Sequence, residues 1–132
     1  MSAEKKLTPA EWEIMEAIWK IGGRPSIREV LDQAFPNGEK AYTTVQTLMN
    51  ILVKKGLLKA KKIGLVNFYS PTITREEMVQ TEMNHLVSKV FHGSLPALAN
   101  YLFDSDNLSL EELEAIKKML NQKENELRGN KA

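Results

Sequence analysis

Helix starts are marked along this chain more plainly than any other feature, and they constrain what it can fold into. Thr8-Pro9-Ala10-Glu11, Ser26-Ile27-Arg28-Glu29 and Thr74-Arg75-Glu76-Glu77 each place a hydroxyl three residues before a glutamate. In such a capping box the hydroxyl accepts from the glutamate's backbone amide. The carboxylate reaches back to the capping residue's own amide, so each box fixes where a helix begins. Pro9 is preset for the first helical position, and Leu7 with Trp12 has the spacing of a hydrophobic staple. The boxes are followed by apolar residues at helical spacing: Trp12, Met15, Ile18 and Trp19, then Ile27, Val30, Leu31 and Ala34. Gly22-Gly23 ends the first helix, and Phe35-Pro36-Asn37-Gly38 reads as a turn after the second. A third helix is predicted from Tyr42 or Thr43 to Lys55, with Val45, Leu48, Met49 and Leu52 inward and Gly56 as its left-handed terminator.

Beyond Gly56 the pattern changes to strands. Leu57 to Lys62 and Val66 to Ser70 are short β-rich runs on either side of Ile63-Gly64-Leu65, which predicts a hairpin ended by Pro71. Of Phe68 and Tyr69, which alternate along a strand, one is expected in the core. Three helices and a hairpin in this order are the plan of a winged helix-turn-helix, in which the third helix enters the major groove and the hairpin holds the adjacent backbone. The last third reads as helical. One stripe is Val79, Met83, Leu86, Val87 and Val90, and another is Leu95, Leu98, Ala99 and Leu102. After a break at Asp104 to Asn107, Ser109 opens a helix carrying Leu113, Ile116, Leu120 and Leu127, with fraying expected from Lys123 onward. The fold class is therefore mainly α with a small β-hairpin. The expected domains are a winged helix over 1–72 and a helical domain over 73–132.

Charge separates the same two parts. Residues 1–72 carry 11 basic and 7 acidic side chains, whereas residues 73–132 carry 7 and 10. From Lys40 to Arg75 there are seven basic residues and no Asp or Glu. Such segregation points to a polyanion-binding first part. On the third helix, removing the inward stripe leaves Thr43, Thr44, Gln46, Thr47 and Asn50 outward. Their methyls suit thymine, their amides suit adenine, and the absence of carboxylates avoids repelling phosphate. Tyr42, Lys54, Lys55, Lys59, Lys61 and Lys62 are the expected phosphate contacts, which add affinity without sequence information.

The final helices have more apolar surface than about sixty residues can bury alone. Val79, Met83, Leu86, Val90, Leu98, Leu102, Leu113, Ile116 and Leu120 are therefore expected to form a homodimer interface, which suits a helix-turn-helix protein on two half-sites. Catalysis has no visible basis. The absence of cysteine removes thiolate nucleophiles, thiolate zinc sites and disulfides, and His85 and His92 do not make a metal site. Asp104 and Asp106 lack the glycine and terminal glutamate of a calcium loop. Neither a membrane span nor a leader in Met1 to Lys6 is expected. The reading is a cytoplasmic, non-enzymatic protein that needs no cofactor and binds double-stranded DNA. The competing reading is a winged helix used only for protein–protein contact.

Several strings resemble one known family. Leu7-Thr8-Pro9-Ala10-Glu11-Trp12-Glu13-Ile14-Met15 with Ile18-Trp19, Tyr42 to Leu52, Lys54-Lys55-Gly56-Leu57-Leu58 and Tyr69-Ser70-Pro71 are similar to the penicillinase repressor family. That family also contains methicillin-resistance and copper-responsive repressors. Phe91-His92-Gly93-Ser94 and Leu108 to Leu120 resemble its dimerisation helices more loosely. The resemblance implies a homodimeric repressor on a palindromic operator, controlling a resistance or stress operon. Its recognition positions fall on Thr43, Thr44, Gln46 and Thr47. Other members carry basic residues where this chain has Thr43 and Gln46, so the resemblance carries over no operator sequence. The lack of cysteine excludes the copper-thiolate switch of some members. In β-lactam-responsive members a membrane sensor protease triggers cleavage at an Asn–aromatic bond, to which Asn100-Tyr101 would correspond.

Overall fold

A computed structural model describes residues 6–129. Residues 1–5, which make up most of the stretch read above for a leader, and residues 130–132, the end of the stretch expected to fray, lie outside the described residues. The elements are α1 (Pro9–Ile21), α2 (Ile27–Ala34), α3 (Tyr42–Lys54), β1 (Leu58–Ile63), β2 (Val66–Pro71), α4 (Arg75–Val90), α5 (Leu95–Phe103) and α6 (Leu110–Gly129). This is the expected order, and the architecture is mainly helical with one antiparallel hairpin. No helix among the described residues is long and apolar enough to cross a membrane.

The capping boxes close as the sequence predicts. The Glu11 amide donates to Thr8 Oγ1 at 3.2 Å while Thr8 N donates to the Glu11 carboxylate at 3.0 Å, and Ser26 with Glu29 and Thr74 with Glu77 repeat the exchange. Ser109 and Glu112 form a fourth box at the start of α6. At the end of α3, Gly56 adopts φ 80° and lets Leu57 N donate back to Leu52 O at 3.0 Å. That left-handed exit turns the chain into β1. The hairpin pairs Ile63 with Val66, leaving Gly64 and Leu65 as its loop. Gly64 at φ 65° supplies the positive angle a tight hairpin turn requires.

The described chain divides into two compact units, residues 6–84 and 85–129. The first has a closed core in which Ile14, Met15, Ile18, Val30, Val45, Met49 and Leu52 are fully buried. Trp12 and Trp19, expected within the α1 stripe, lie at its edge, because each indole N–H needs an acceptor. Trp12 Nε1 donates to Glu16 and Trp19 Nε1 to the Ile73 carbonyl, at 3.1 and 3.0 Å, and the rings meet edge to face. Ile14 takes the inner position instead. Phe35, read as part of a turn, is also buried, as is Tyr69 of the alternating pair.

The units divide inside α4, not at residue 72. Met78 is fully buried with the core of the first unit, and the Leu7 amide donates to the Glu82 carboxylate at 3.1 Å. Residues 73–84 thus pack with the winged helix that the sequence reading ended before them. The second unit contains the end of α4, α5 and α6. None of its described residues is buried. Phe91 and Tyr101 pack at 6.1 Å, and the chain turns between their helices through His92 and Gly93, both at positive φ. α6 runs unbroken to Gly129, past the point where fraying was expected.

Candidate nucleic-acid interface

The inward face of α3 decides its outward one. Val45, Met49 and Leu52 are fully buried, and Leu48 packs partly against the same core. Helical spacing then forces Thr43, Thr44, Gln46, Thr47 and Asn50 outward, and all five are exposed. The ridge carries hydroxyls and amides and no ionised group. One of its donors is already used: Thr47 Oγ1 donates to the Thr43 carbonyl at 3.0 Å, leaving its lone pairs and methyl outward. α3 starts at Ala41 without a side-chain cap, unlike α1 and α2. Its first amides are therefore free to meet an anion, with the helix dipole in their favour.

The lysines sort into two kinds. Lys54, Lys59, Lys61 and Lys62 are exposed and form no ion pair among the described residues. Lys55, expected with them as a phosphate contact, is bound inside the protein instead. Its ammonium donates to Glu11 Oε1 at 2.7 Å and to the Lys6 carbonyl at 3.0 Å. Glu11 is only 3% exposed, and an unpaired carboxylate there would be costly. Burial pushes the Glu11 pKa up, but the Lys55 ammonium and the Thr8 hydrogen bonds outweigh it and hold it below the usual carboxylate value. Lys55 thus ties the end of α3 to the start of α1.

The hairpin is fastened at its base and free at its end. Tyr69, 1% exposed, donates its amide to the Pro25 carbonyl at 2.9 Å, and Phe68 bridges to Ser26. Beyond Tyr69 towards the loop, Lys61 to Asn67 are all exposed. A cleft lies between this end and α3, lined by Arg28, Tyr42, Gln46, Leu65, Val66 and Asn67 among others. Tyr42 and Gln46 are thus brought beside the hairpin. The Arg28 guanidinium sits 5.4 Å over the Tyr42 ring, so the tyrosine is held by a residue of α2 while about 40% exposed. Arg28 and Asn67 were not singled out from the sequence. Arg28 reads there only as part of a capping box, with Asp32 one turn on as its ion-pair partner at 4.0 Å.

The expected dimerisation residues are not covered. Met83, Leu86, Val90, Leu102 and Leu120 are 36–58% exposed, and Val79, Leu98, Leu113 and Ile116 are half-buried. Asn100 and Tyr101 are both exposed near the end of α5, within helical backbone.

The sequence pattern of the penicillinase repressor family matches residues 7–122. The penicillinase repressor of Bacillus licheniformis is 27% identical over 120 residues, 91% of this chain and 93% of that protein. The methicillin resistance regulatory protein MecI of Staphylococcus aureus strain N315 is 25% identical over 118 residues, 89% of this chain and 95% of that protein. The solution structure of the DNA-binding domain of the repressor BlaI is 32% identical, covering 55% of this chain and 88% of that domain with a TM-score of 0.49. With the pattern spanning α1 to α6, this chain belongs to the penicillinase repressor family.

Proposed function

We propose that the protein is a dimeric repressor in which each α3 reads one half of a palindromic operator in double-stranded DNA. The observation that carries this reading is the exposed, uncharged ridge of Thr43, Thr44, Gln46, Thr47 and Asn50 beside unpaired lysines on the adjoining hairpin. Direct readout needs short donors and acceptors that reach base edges, and affinity needs cations on either side. Lys54, Lys59, Lys61 and Lys62 supply the phosphate contacts, together with Tyr42. Two copies joined through the uncovered apolar faces of α4, α5 and α6 would set the half-site spacing and block transcription of a resistance or stress operon.

Selection of bound duplexes from a random pool tests the proposal, with a pseudo-palindrome expected. Gln46→Ala should then cost about 1–3 kcal/mol on the selected sequence and almost nothing on random DNA. Lys61→Ala should weaken both alike and flatten the salt dependence by roughly one unit. Equal losses from Gln46→Ala on both DNAs would refute groove reading.

Release fits cleavage at Asn100–Tyr101, set off by a membrane sensor protease. Cutting there would sever part of the dimer-forming helices, and a bivalent binder loses about 10²–10⁴-fold in effective affinity when its halves separate. The bond lies in helical backbone, so α5 must unwind before a protease can hold it extended. Mapping fragments after induction should show a new N-terminus at Tyr101. A repressor that stays intact while the operon is induced would eliminate this route.

A further inference from the structure

We infer that the apolar end of the hairpin, centred on Leu65, enters the minor groove beside the half-site and makes the protein favour A·T pairs there. This rests on the DNA-binding reading above and extends it to a second groove. Leu65 is 95% exposed, and Ile63 and Val66, paired across the last rung of the hairpin, are 55% and 46% exposed. One exposed leucine on a surface is ordinary. Here three large apolar side chains gather at the end of a projecting hairpin that is otherwise lined by Lys59, Lys61, Lys62 and Asn67. They add nothing to the core, whose nearest strand residues are Leu58 and Tyr69.

Continuity with the reading face points to the occupant. Leu65, Val66 and Asn67 line the same cleft as Tyr42 and Gln46 of α3. A duplex with α3 in its major groove presents one sugar–phosphate strand beside that helix, and its minor groove beyond the strand. The strand suits a cleft holding the Arg28 guanidinium, the Tyr42 hydroxyl and the Asn67 amide. No carboxylate occurs between Lys40 and Arg75 to repel it. The tip of the hairpin then lies over the minor groove.

The chemistry of that groove sets the preference. A·T and T·A pairs offer only acceptors there, while a G·C pair adds the guanine amino donor. An aliphatic side chain can satisfy none of these groups, so it leaves one more unpaired over G·C. Apolar wedges at minor-groove steps also gain where the duplex unstacks easily.

The test uses the full-length protein and the duplex it selects from a random pool, with the pairs flanking the α3 contact set to A·T, G·C or inosine·cytosine. Inosine·cytosine keeps the major groove of G·C and lacks the minor-groove amino group. Wild type is expected to bind A·T and inosine·cytosine flanks alike and G·C flanks about fivefold or more weakly. Leu65→Ala should bring that ratio close to one while keeping the discrimination between selected and scrambled half-sites. A wild-type ratio of one, or a flank preference that survives Leu65→Ala, would overturn the inference and leave α3 reading intact. The former is also the result if the tip docks on another protein. Loss of half-site selectivity in the wild type would instead defeat both readings.

Discussion

Residues 6–84 and 85–129 have similar local signals and different packing. Both begin helices with capping boxes or capping hydroxyls, and both carry apolar stripes at helical spacing. In the first unit the stripes of three helices and a hairpin converge on one core, with nine apolar side chains at zero exposure. In the second, no described side chain is buried, and Val90, Leu95, Tyr101, Leu102, Leu110, Met119, Leu120 and Leu127 are more than half exposed. The difference shows that helix signals and stability are separate matters. Capping and periodicity specify helices, but a unit of this size gains little free energy until its stripes meet enough other apolar surface. The first unit supplies that surface itself. The second does not, among its described residues; the proposed dimer would supply it.

The largest effect should come from breaking that dependence. Leu102→Asp with Leu120→Asp should convert the protein to a monomer in sedimentation and lower apparent operator affinity about 10²–10⁴-fold. The isolated half-site should be bound as before. A double variant that remains dimeric would mean that the second unit closes by other residues, and the contrast drawn here would fail.

Paired methionines sharpen the comparison within a single chain. Met49 is fully buried in the first unit, and Met119 is 67% exposed in the second. Met49→Ala should cost about 2–5 kcal/mol in thermal or denaturant unfolding of the first unit. Met119→Ala should cost under about 0.5 kcal/mol unless the dimer covers it. A large loss from Met119→Ala that depends on protein concentration would place it in the interface.

A smaller effect than that of Met49→Ala is electrostatic and belongs to the first unit. The folded pKa of Glu11 lies below its ordinary value of 4.5, so its ion pair with Lys55 contributes stability above that value. The contribution is lost as pH falls through the lower, folded value. Glu11→Gln should therefore cost about 1–3 kcal/mol at neutral pH, with the difference from wild type disappearing in acid. The check is a series of denaturant midpoints from neutral pH to well below 4.5. A constant difference across that range would show that shape, not charge, holds Lys55. The Glu16–Arg75 pair is half-exposed and should contribute little to the same curve.

What could be read in advance was what lies within a few residues. The capping boxes, the Gly56 exit, the hairpin turn at Gly64 and the outward face of α3 all follow from spacing along one element. So does the separation of a basic first part from an acidic second one. The candidate site was legible to the same extent: the ridge of Thr43, Thr44, Gln46, Thr47 and Asn50 is fixed by the stripe opposite it. Most of the misreadings involve partners far away in the chain. Lys55 looked like its neighbour Lys54 because the carboxylate that takes its charge is 44 residues earlier. Met78 lies outside the stripe of Val79, Met83, Leu86, Val87 and Val90, and only the assembled core shows where it inserts. Trp12 and Trp19 looked central because periodicity registers an apolar ring and not the N–H on its rim.

The amino-acid sequence by itself determined the helices, the hairpin and the uncharged ridge, because hydrogen bonds at chain ends and a repeat of 3.6 residues are local physics. Tertiary structure alone decided which lysine stays free, where α4 passes from one unit to the other, and that Arg28, Gln46 and Leu65 share a cleft. Those outcomes depend on desolvation and on distances between elements, and both take definite values only after the chain has closed on itself.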